Sequence, residues 1–424
     1  MSNSLPWRSL LLLALSYAVL LWRCGWQAGA WSLALAGLVW LLSAHIRGAW
    51  RSVLAYALFF LTPALTLGGQ IGVLTGFGGS SVSLPWLGIA FISAALALHV
   101  ARDAVNWRTM LALLQPLRFN SGPCALPPSG RGAGVHRLSW RRIRVYGSWL
   151  VLGAFFYSVP AAGIAPLLVL KQSTDALDIL AFAILFEAYV YFNFSGISFM
   201  VYGLLQLAGV PVIRNFNTPF AARDVIGYWQ RWHISLSTIL KALFFQPLKN
   251  RIGLPGAILA VFLCSAMWHG VSFNFVLWGG FHACGWLLTH AIARRFGRAP
   301  ARTDRAMAPS AATIGSMLNV LLFPLVVILG RLIFSEADSA LLLFKLQQLC
   351  HLASNDDAWL LHLTLDRKTT LILAGVLLWL LAEVWFPRCH RNYRLLRCHW
   401  MPLLLLGLCA AFGNSGLGGV YGAR

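Results

Sequence analysis

Long runs of apolar residues, separated by shorter polar and basic segments, dominate the chain. A transmembrane helix needs roughly twenty consecutive apolar residues to cross a bilayer. About eleven windows reach or approach this length, at 9–22, 30–44, 52–68, 84–100, 147–170, 179–208, 254–268, 271–291, 314–335, 371–386 and 400–412. The pattern predicts an all-α, polytopic membrane protein with about eleven transmembrane helices, the first of them retained and not removed as a signal peptide.

The composition agrees with this prediction. Apolar residues make up 59% of the 424 residues and charged residues 11%, which is too little polar surface for a soluble chain of this length. The net charge of +21 would suggest nucleic-acid binding in a soluble protein. Here the basic residues fall between apolar windows, where they set topology and meet anionic lipid headgroups, so we expect no nucleic-acid partner. The eight cysteines are scattered without a C-x-x-C pair, and we expect no bound metal.

The basic residues also predict an orientation. Alternate loops, beginning with the N-terminus, hold 26 of the 33 Lys and Arg residues. Basic residues are enriched on the cytoplasmic side, so we predict a cytoplasmic N-terminus and an outside C-terminus. We expect a single membrane domain, with N-terminal spans over 1–146, a core over about 147–347 and C-terminal spans over 348–424.

The inside segment 209–253 differs from the other loops because aromatic and basic residues alternate along it. The pattern from Asp224 predicts an amphipathic helix, with Asp224 as the N-cap and Pro247 as the stop. Trp229, Trp232 and Leu236 would share its apolar face. We interpret the segment as a re-entrant or interfacial element, because irregular backbone enters a membrane only where protein or water covers it.

Two histidines in polar stretches are candidates for chemistry. His233 lies in this element, approached from the cytoplasmic side, and His269 lies at the bend of a hairpin between the windows 254–268 and 271–291. A neutral imidazole can take a proton from an attacking hydroxyl or thiol. The alternative is that each histidine is a packing residue that forms hydrogen bonds. Trp268 and Asn274, beside His269, are candidate donors to a developing oxyanion.

Other polar residues inside apolar windows are open to two interpretations. Glu187 is either a partner for Arg231 or an acid that lines a cavity, and its alternative is a structural hydrogen bond to a neighbouring helix. Arg331 is expected to reach toward the outer headgroups. Glu383 is expected to extend toward the basic end of its span.

The remaining histidines indicate no metal chemistry. His282 and His290 share one helix face, and we interpret both as packing or interfacial residues. The chain contains no H-x-x-x-H or H-x-x-H-H cluster, which argues against a membrane di-iron desaturase or hydroxylase.

Three stretches resemble one protein family when they are read in order. They are YFNFSGISFMVYGLLQLAGVPVIRNFNTPF (191–220), YWQRWHISLST (228–238) and MWHGVSFNFVLWGGFH (267–282). Together they are similar to the membrane-bound O-acyltransferase (MBOAT) family, and to its bacterial branch of alginate and cellulose O-acetylation proteins and teichoic-acid D-alanylation proteins. Two sites depart from the family pattern: Lys241-Ala242 stands where Arg-Asp is usual, and Asn193 where Asp is usual.

The resemblance implies a fold of about eleven helices around a funnel, with His269 as the expected catalytic base and His233 as the second family histidine. Asn217 matches the N-F-N-x-P-F element. The polar ten-residue stretch is expected to line the tunnel where the acyl donor enters. Its polar and aromatic members, which we count as candidate tunnel residues, are Arg231, Trp232, Ser235 and Ser237.

The function we expect is transfer of an acyl group, with acetyl preferred, from a cytoplasmic thioester to an exported polysaccharide. The donor would be acetyl-CoA or an acyl carrier protein thioester, used as a substrate, and no cofactor is expected to be bound. An extracytoplasmic acyltransferase is a possible partner on the outside of a bacterial inner membrane. Two alternatives stay open: D-alanyl transfer to teichoic acid or a related polymer, and a non-catalytic transporter or scaffold with the same fold.

Overall fold

The computed structural model describes residues 48–61, 139–210, 212–296, 314–351, 365–385 and 400–413, with isolated positions between 11 and 46 and at 97. All regular secondary structure in these ranges is helical, which confirms the all-α prediction for this part of the chain. The predicted spans at 9–22, 30–44 and 84–100 lie outside these continuous ranges. So does most of the loop 101–146.

The helices are numbered in chain order. They are α1 (Ala49–Leu61), α2 (Trp140–Phe156), α3 (Ala176–Leu207), α4 (Val225–Trp229), α5 (Ile234–Leu240), α6 (Gln246–His269), α7 (Phe273–Arg295), α8 (Ile314–Ser335), α9 (Ser339–His351), α10 (Arg367–Trp385) and α11 (Met401–Phe412). Beyond Phe156, α2 continues through a π-helical turn and a 3₁₀ segment to Gln172.

Five helical segments within the described ranges are long and apolar enough to cross a membrane. They are Trp140–Gln172, Ala176–Leu207, Ile234–His269, Phe273–Arg295 and Arg367–Trp385. Each overlaps a window predicted from the sequence, and α8, which covers 314–335, has the bounds that the pattern predicts. The described part of the chain is therefore that of a multi-pass membrane protein.

Helices α2 and α3 pack closely because glycines face each other across their contact. A Cβ atom on Gly153 would lie 2.5 Å from the Gly196 carbonyl oxygen, so only hydrogen fits there. Small residues of this kind let the backbones of membrane helices approach. The side chain of Asp175 accepts the backbone N–H of Leu177 at 2.8 Å and so starts α3 directly after α2 turns back.

The segment after α3 does not form the long amphipathic helix that the sequence predicts. Asp224 is the N-cap, and its Oδ1 accepts the Gly227 N–H at 2.6 Å. Helix α4 nevertheless ends at Trp229, and α5 begins only at Ile234. The interruption arises because His233 has a left-handed backbone with φ of 45°, which cannot continue a right-handed helix.

The predicted stop at Pro247 is also wrong. Pro247 lies in the first turn of α6, where its missing N–H is not needed, and a π-helical turn (Lys241–Phe245) joins it to α5. The break comes instead at Gly253, whose φ of 71° kinks α6. Residues 254–269 therefore form the first arm of the hairpin, and the kink at Gly253 divides them from the start of α6.

Candidate active site

A cavity of about 720 Å³ lies between α3, α5, α6, α7 and α8. On α3 its wall runs from Phe182 to Phe194, which corresponds to about 18 Å of helix length. The end near Phe182 also includes Lys171, and the wall on the re-entrant element includes Lys241. Most of the wall is aromatic or aliphatic, so polar groups inside it are poorly screened by water.

His233 lies in this wall at the point where α5 begins. Asn215 holds the backbone directly after the break: its carbonyl accepts Ile234 N–H at 2.9 Å and its side-chain oxygen accepts Ser235 N–H at 3.3 Å. The imidazole is 4% exposed and packs edge-on against Phe194, with ring centroids 4.9 Å apart. Neither ring nitrogen has a hydrogen-bond partner among the described residues, so both are available to a ligand.

His269, the last residue of α6, lies in the same cavity wall. Its ring contacts those of Trp268 at 4.9 Å and Phe334 at 5.1 Å between centroids. Gly270 permits the tight bend, because a Cβ there would lie 2.6 Å from the Phe275 ring. The structure therefore brings together the two histidines that the sequence indicated as candidates.

A third histidine, His282, also lines the cavity, although we had interpreted it as a packing or interfacial residue. Its ring lies 4.9 Å from both Trp229 and Trp278, and its Nδ1 accepts or donates no hydrogen bond among the described residues. The signal in the sequence was its spacing of four from Trp278, which places both on one face of α7. That face turns toward the cavity.

Glu187 pairs with Arg331, not with Arg231. Glu187 Oε2 lies 2.5 Å from Arg331 Nε, and Glu187 Oε1 accepts the Tyr228 hydroxyl at 2.7 Å. Arg331 is 9% exposed, so the prediction that it reaches the headgroups is wrong. An opposite charge on α3 makes the buried position tolerable, because a buried ion without a partner is strongly destabilising.

The residues predicted to line the tunnel divide into two groups. Trp232 and Ser237 contribute to the wall, whereas Arg231, Ser235, Asn217 and Glu187 are not part of it. The residues of the second group lie outside the wall and hold the chain around it. Arg231 Nη1 donates to the Gly227 carbonyl at 2.8 Å, and the Arg231 carbonyl accepts Asn217 N–H at 3.0 Å, which fastens the chain before α4 to the turn after it.

Asn274 also lies outside the cavity wall. Its side-chain nitrogen donates to the carbonyls of Ile333 and Phe334 at 3.3 and 3.1 Å, and its oxygen accepts the Ser272 hydroxyl at 2.5 Å. The amide is thus engaged in joining the start of α7 to the end of α8. Asn274 holds Phe334 in place beside His269. Trp268 likewise lies behind the wall.

The described residues bring together no group of three His, Cys, Asp or Glu side chains that could hold a metal ion. The cavity wall offers imidazoles, a buried guanidinium and aromatic rings. These groups can orient a ligand, move a proton and stabilise negative charge.

Residues 177–329 match the model of the MBOAT, membrane-bound O-acyltransferase family. The matched residues include His233, His269 and His282 and most of the cavity wall. The match begins at the start of α3 and ends two residues before Arg331.

The chain is also similar to curated relatives over part of its length. The probable alginate O-acetylase of Pseudomonas aeruginosa is 35% identical over 119 residues, which is 27% of this chain and 22% of the relative. The peptidoglycan O-acetyltransferase of Helicobacter pylori is 34% identical over 120 residues, 27% of this chain and 21% of the relative. The teichoic acid D-alanyltransferase of Bacillus subtilis is 27% identical over 109 residues, 23% of this chain and 28% of the relative.

The matched part spans about a quarter of the length of these curated relatives. Residues 177–329, which the family model matches, include the re-entrant element, the hairpin and most of the cavity wall. Residues 177–329 of this chain are therefore similar to the membrane-bound O-acyltransferase family.

Proposed function

We propose that this protein is a membrane acyltransferase that passes an acyl group from a cytoplasmic thioester to a hydroxyl group of an exported polysaccharide. The observation that carries the proposal is that His233 and His269 line one cavity between the spanning helices. Acetyl-CoA or an acyl carrier protein thioester would deliver the group at the re-entrant element. The acceptor would meet it near His269.

The chemistry requires one base and a site for negative charge. His269 takes the proton of the attacking hydroxyl group while the oxygen of that hydroxyl group bonds to the thioester carbonyl carbon. The carbonyl π pair moves onto oxygen, and the tetrahedral intermediate then collapses with loss of the thiolate, which receives the proton from His269. The product is an ester and a free thiol. If an extracytoplasmic acyltransferase completes the transfer, its nucleophile takes the place of the polymer hydroxyl.

The charge of the wall supports acetyl as the acyl group. Lys171, Lys241 and Arg331 line the cavity, and no carboxylate of the described residues does. Glu187, behind the wall, is already paired with Arg331. A D-alanyl group carries an ammonium that would meet like charges in a poorly solvated space, whereas an acetyl group is neutral.

D-alanyl transfer remains the second candidate, because the Bacillus subtilis relative is named a teichoic acid D-alanyltransferase. We place the protein in the bacterial inner membrane, with a cytoplasmic N-terminus and a periplasmic C-terminus. The basic residues of the inside loops suit the phosphates of CoA or of a phosphopantetheine carrier.

The test is mass analysis of the exported polymer from three strains: wild type, a deletion of the gene, and the deletion complemented with His269→Gln. We expect acetyl groups to disappear in the deletion and to stay absent with His269→Gln. Loss of D-alanine from the polymer, with its acetyl groups kept, would favour D-alanyl transfer, the second candidate. Full restoration of the polymer by His269→Gln would favour a non-catalytic transporter or scaffold.

A further inference from the structure

Arg331 is a buried cation in the cavity wall, and the reaction outlined above assigns it no role. It lies on α8, is 9% exposed and contributes to the same wall as His233 and His269. The other two cations of the wall, Lys171 and Lys241, are exposed. Arg331 is therefore the wall cation whose charge is least screened by water.

Three contacts fix the guanidinium. Its Nε donates to Glu187, its Cζ lies 5.3 Å from the ring centroid of Trp232, and it lies 5.6 Å from the Phe334 centroid. The Tyr228 hydroxyl donates to the other oxygen of Glu187 at 2.7 Å, so the carboxylate is held from two sides. A guanidinium is planar and carries five N–H donors. Pairing with Glu187 through Nε leaves the N–H donors of the terminal nitrogens outside that hydrogen bond.

Arg331 and His269 contact the same ring, that of Phe334. Asn274 holds Phe334 in place, because its side-chain amide donates to the Ile333 and Phe334 carbonyls. Both side chains therefore lie beside Phe334 in the wall, as a base and a cation that act on one carbonyl group require.

We propose that Arg331 binds the carbonyl oxygen of the thioester and stabilises the oxyanion of the tetrahedral intermediate, and that Glu187 and Tyr228 are positioning residues that hold the guanidinium. The inference rests on the proposed acyl transfer. Negative charge appears on the carbonyl oxygen when the hydroxyl oxygen bonds to the carbon, and it disappears when the thiolate leaves. A fixed cation in a poorly solvated site stabilises that charge without having to reorient.

The test uses membrane vesicles from the native host that carry wild type, Arg331→Lys, Arg331→Gln, Glu187→Gln or the control Arg214→Gln. Arg214 stacks on Trp149 at 4.8 Å and does not line the cavity, so it controls for the loss of a membrane-domain arginine. The probe is acetyl-CoA labelled in the acetyl group. The measured quantities are transfer of label to polymer as kcat and KM, and the amount of folded protein.

We expect Arg331→Gln to lower kcat by at least about a hundredfold with KM within about threefold, the effect of removing one oxyanion donor. Arg331→Lys keeps the charge but loses the planar fork, so it should recover part of the rate. Glu187→Gln should lower kcat less than Arg331→Gln does. Arg214→Gln should transfer at the wild-type rate.

Three results would overturn the inference. One is a raised KM with unchanged kcat in Arg331→Gln, which would make Arg331 a donor-binding residue. Another is equal activity of all arginine variants. The third is loss of folded protein in both Arg331 variants, which would make the ion pair purely structural. Wild-type vesicles that transfer no label would instead count against the proposed function.

Discussion

His233 and His269 share one indole ring, since both lie against Trp268 with ring centroids 5.9 and 4.9 Å away. One histidine begins the helix that follows the break in the re-entrant element, and the other ends the first arm of the hairpin. One indole ring therefore contacts two imidazoles, one from the start of α5 and one from the end of α6. Both imidazoles also line the one cavity.

His233→Asn tests the role of the first imidazole without disturbing its backbone. Asparagine tolerates the left-handed conformation that His233 adopts, whereas alanine there costs roughly 1–2 kcal/mol. We expect His233→Asn to keep protein abundance near wild type and to lower acetyl transfer by at least about tenfold, because the amide cannot exchange a proton. His233→Ala should lose activity and also some folded protein. Wild-type transfer by His233→Asn would assign His233 to packing.

Gly330→Ala tests the contact between α7 and α8. A Cβ at Gly330 would lie 2.2 Å from His282 Nε2, so the imidazole or one of the two helices must shift. We expect the thermal unfolding midpoint in detergent to fall, with overpacking costing about 1–3 kcal/mol. Gly280→Ala on α7 is the matched control, because nothing lies within 4 Å of its added Cβ.

The pair Gly330→Ala with His282→Ala makes that test specific. Removing the imidazole makes room for the methyl group, so the double variant should unfold at a higher temperature than Gly330→Ala alone. Equal midpoints for the single and the double variant would show that His282 does not fill the space beside Gly330.

Cysteine labelling tests the orientation. Thr174, in the turn between α2 and α3, and Asn250, in the re-entrant element, are both exposed. In intact cells an impermeant maleimide should label Thr174→Cys above the background of the unsubstituted chain, and Asn250→Cys only after permeabilisation. The opposite pattern would reverse the orientation that the 26 inside basic residues predict.

The spans and the two candidate histidines could be predicted because each depends on local sequence. About twenty apolar residues form a spanning helix almost regardless of context. His233 and His269 were conspicuous because imidazoles rarely occur in apolar surroundings without a function or a partner. The hairpin between α6 and α7 therefore lies where the pattern placed it.

The wrong predictions involve partners that are far apart in sequence or a single unusual backbone angle. Glu187 and Arg331 are 144 residues apart, so no local pattern reveals their ion pair. Glu383 is fully buried and accepts the Tyr191 hydroxyl at 2.5 Å, instead of extending toward the basic end of its span. The left-handed His233 divides a helix that its apolar periodicity would otherwise continue.

The central claim is that His269 is the base for acyl transfer, and the most direct measurement is the transfer rate of purified His269→Gln from acetyl-CoA. The control is His290→Gln, since His290 stacks on the wall residue Trp286 but does not itself line the cavity, and it should keep wild-type activity. Glutamine has a similar reach but cannot accept and return a proton, so His269→Gln should transfer at least about a hundredfold more slowly at unchanged stability. Transfer by folded His269→Gln at more than about a tenth of the wild-type rate would contradict the account, because a lost general base costs more than that.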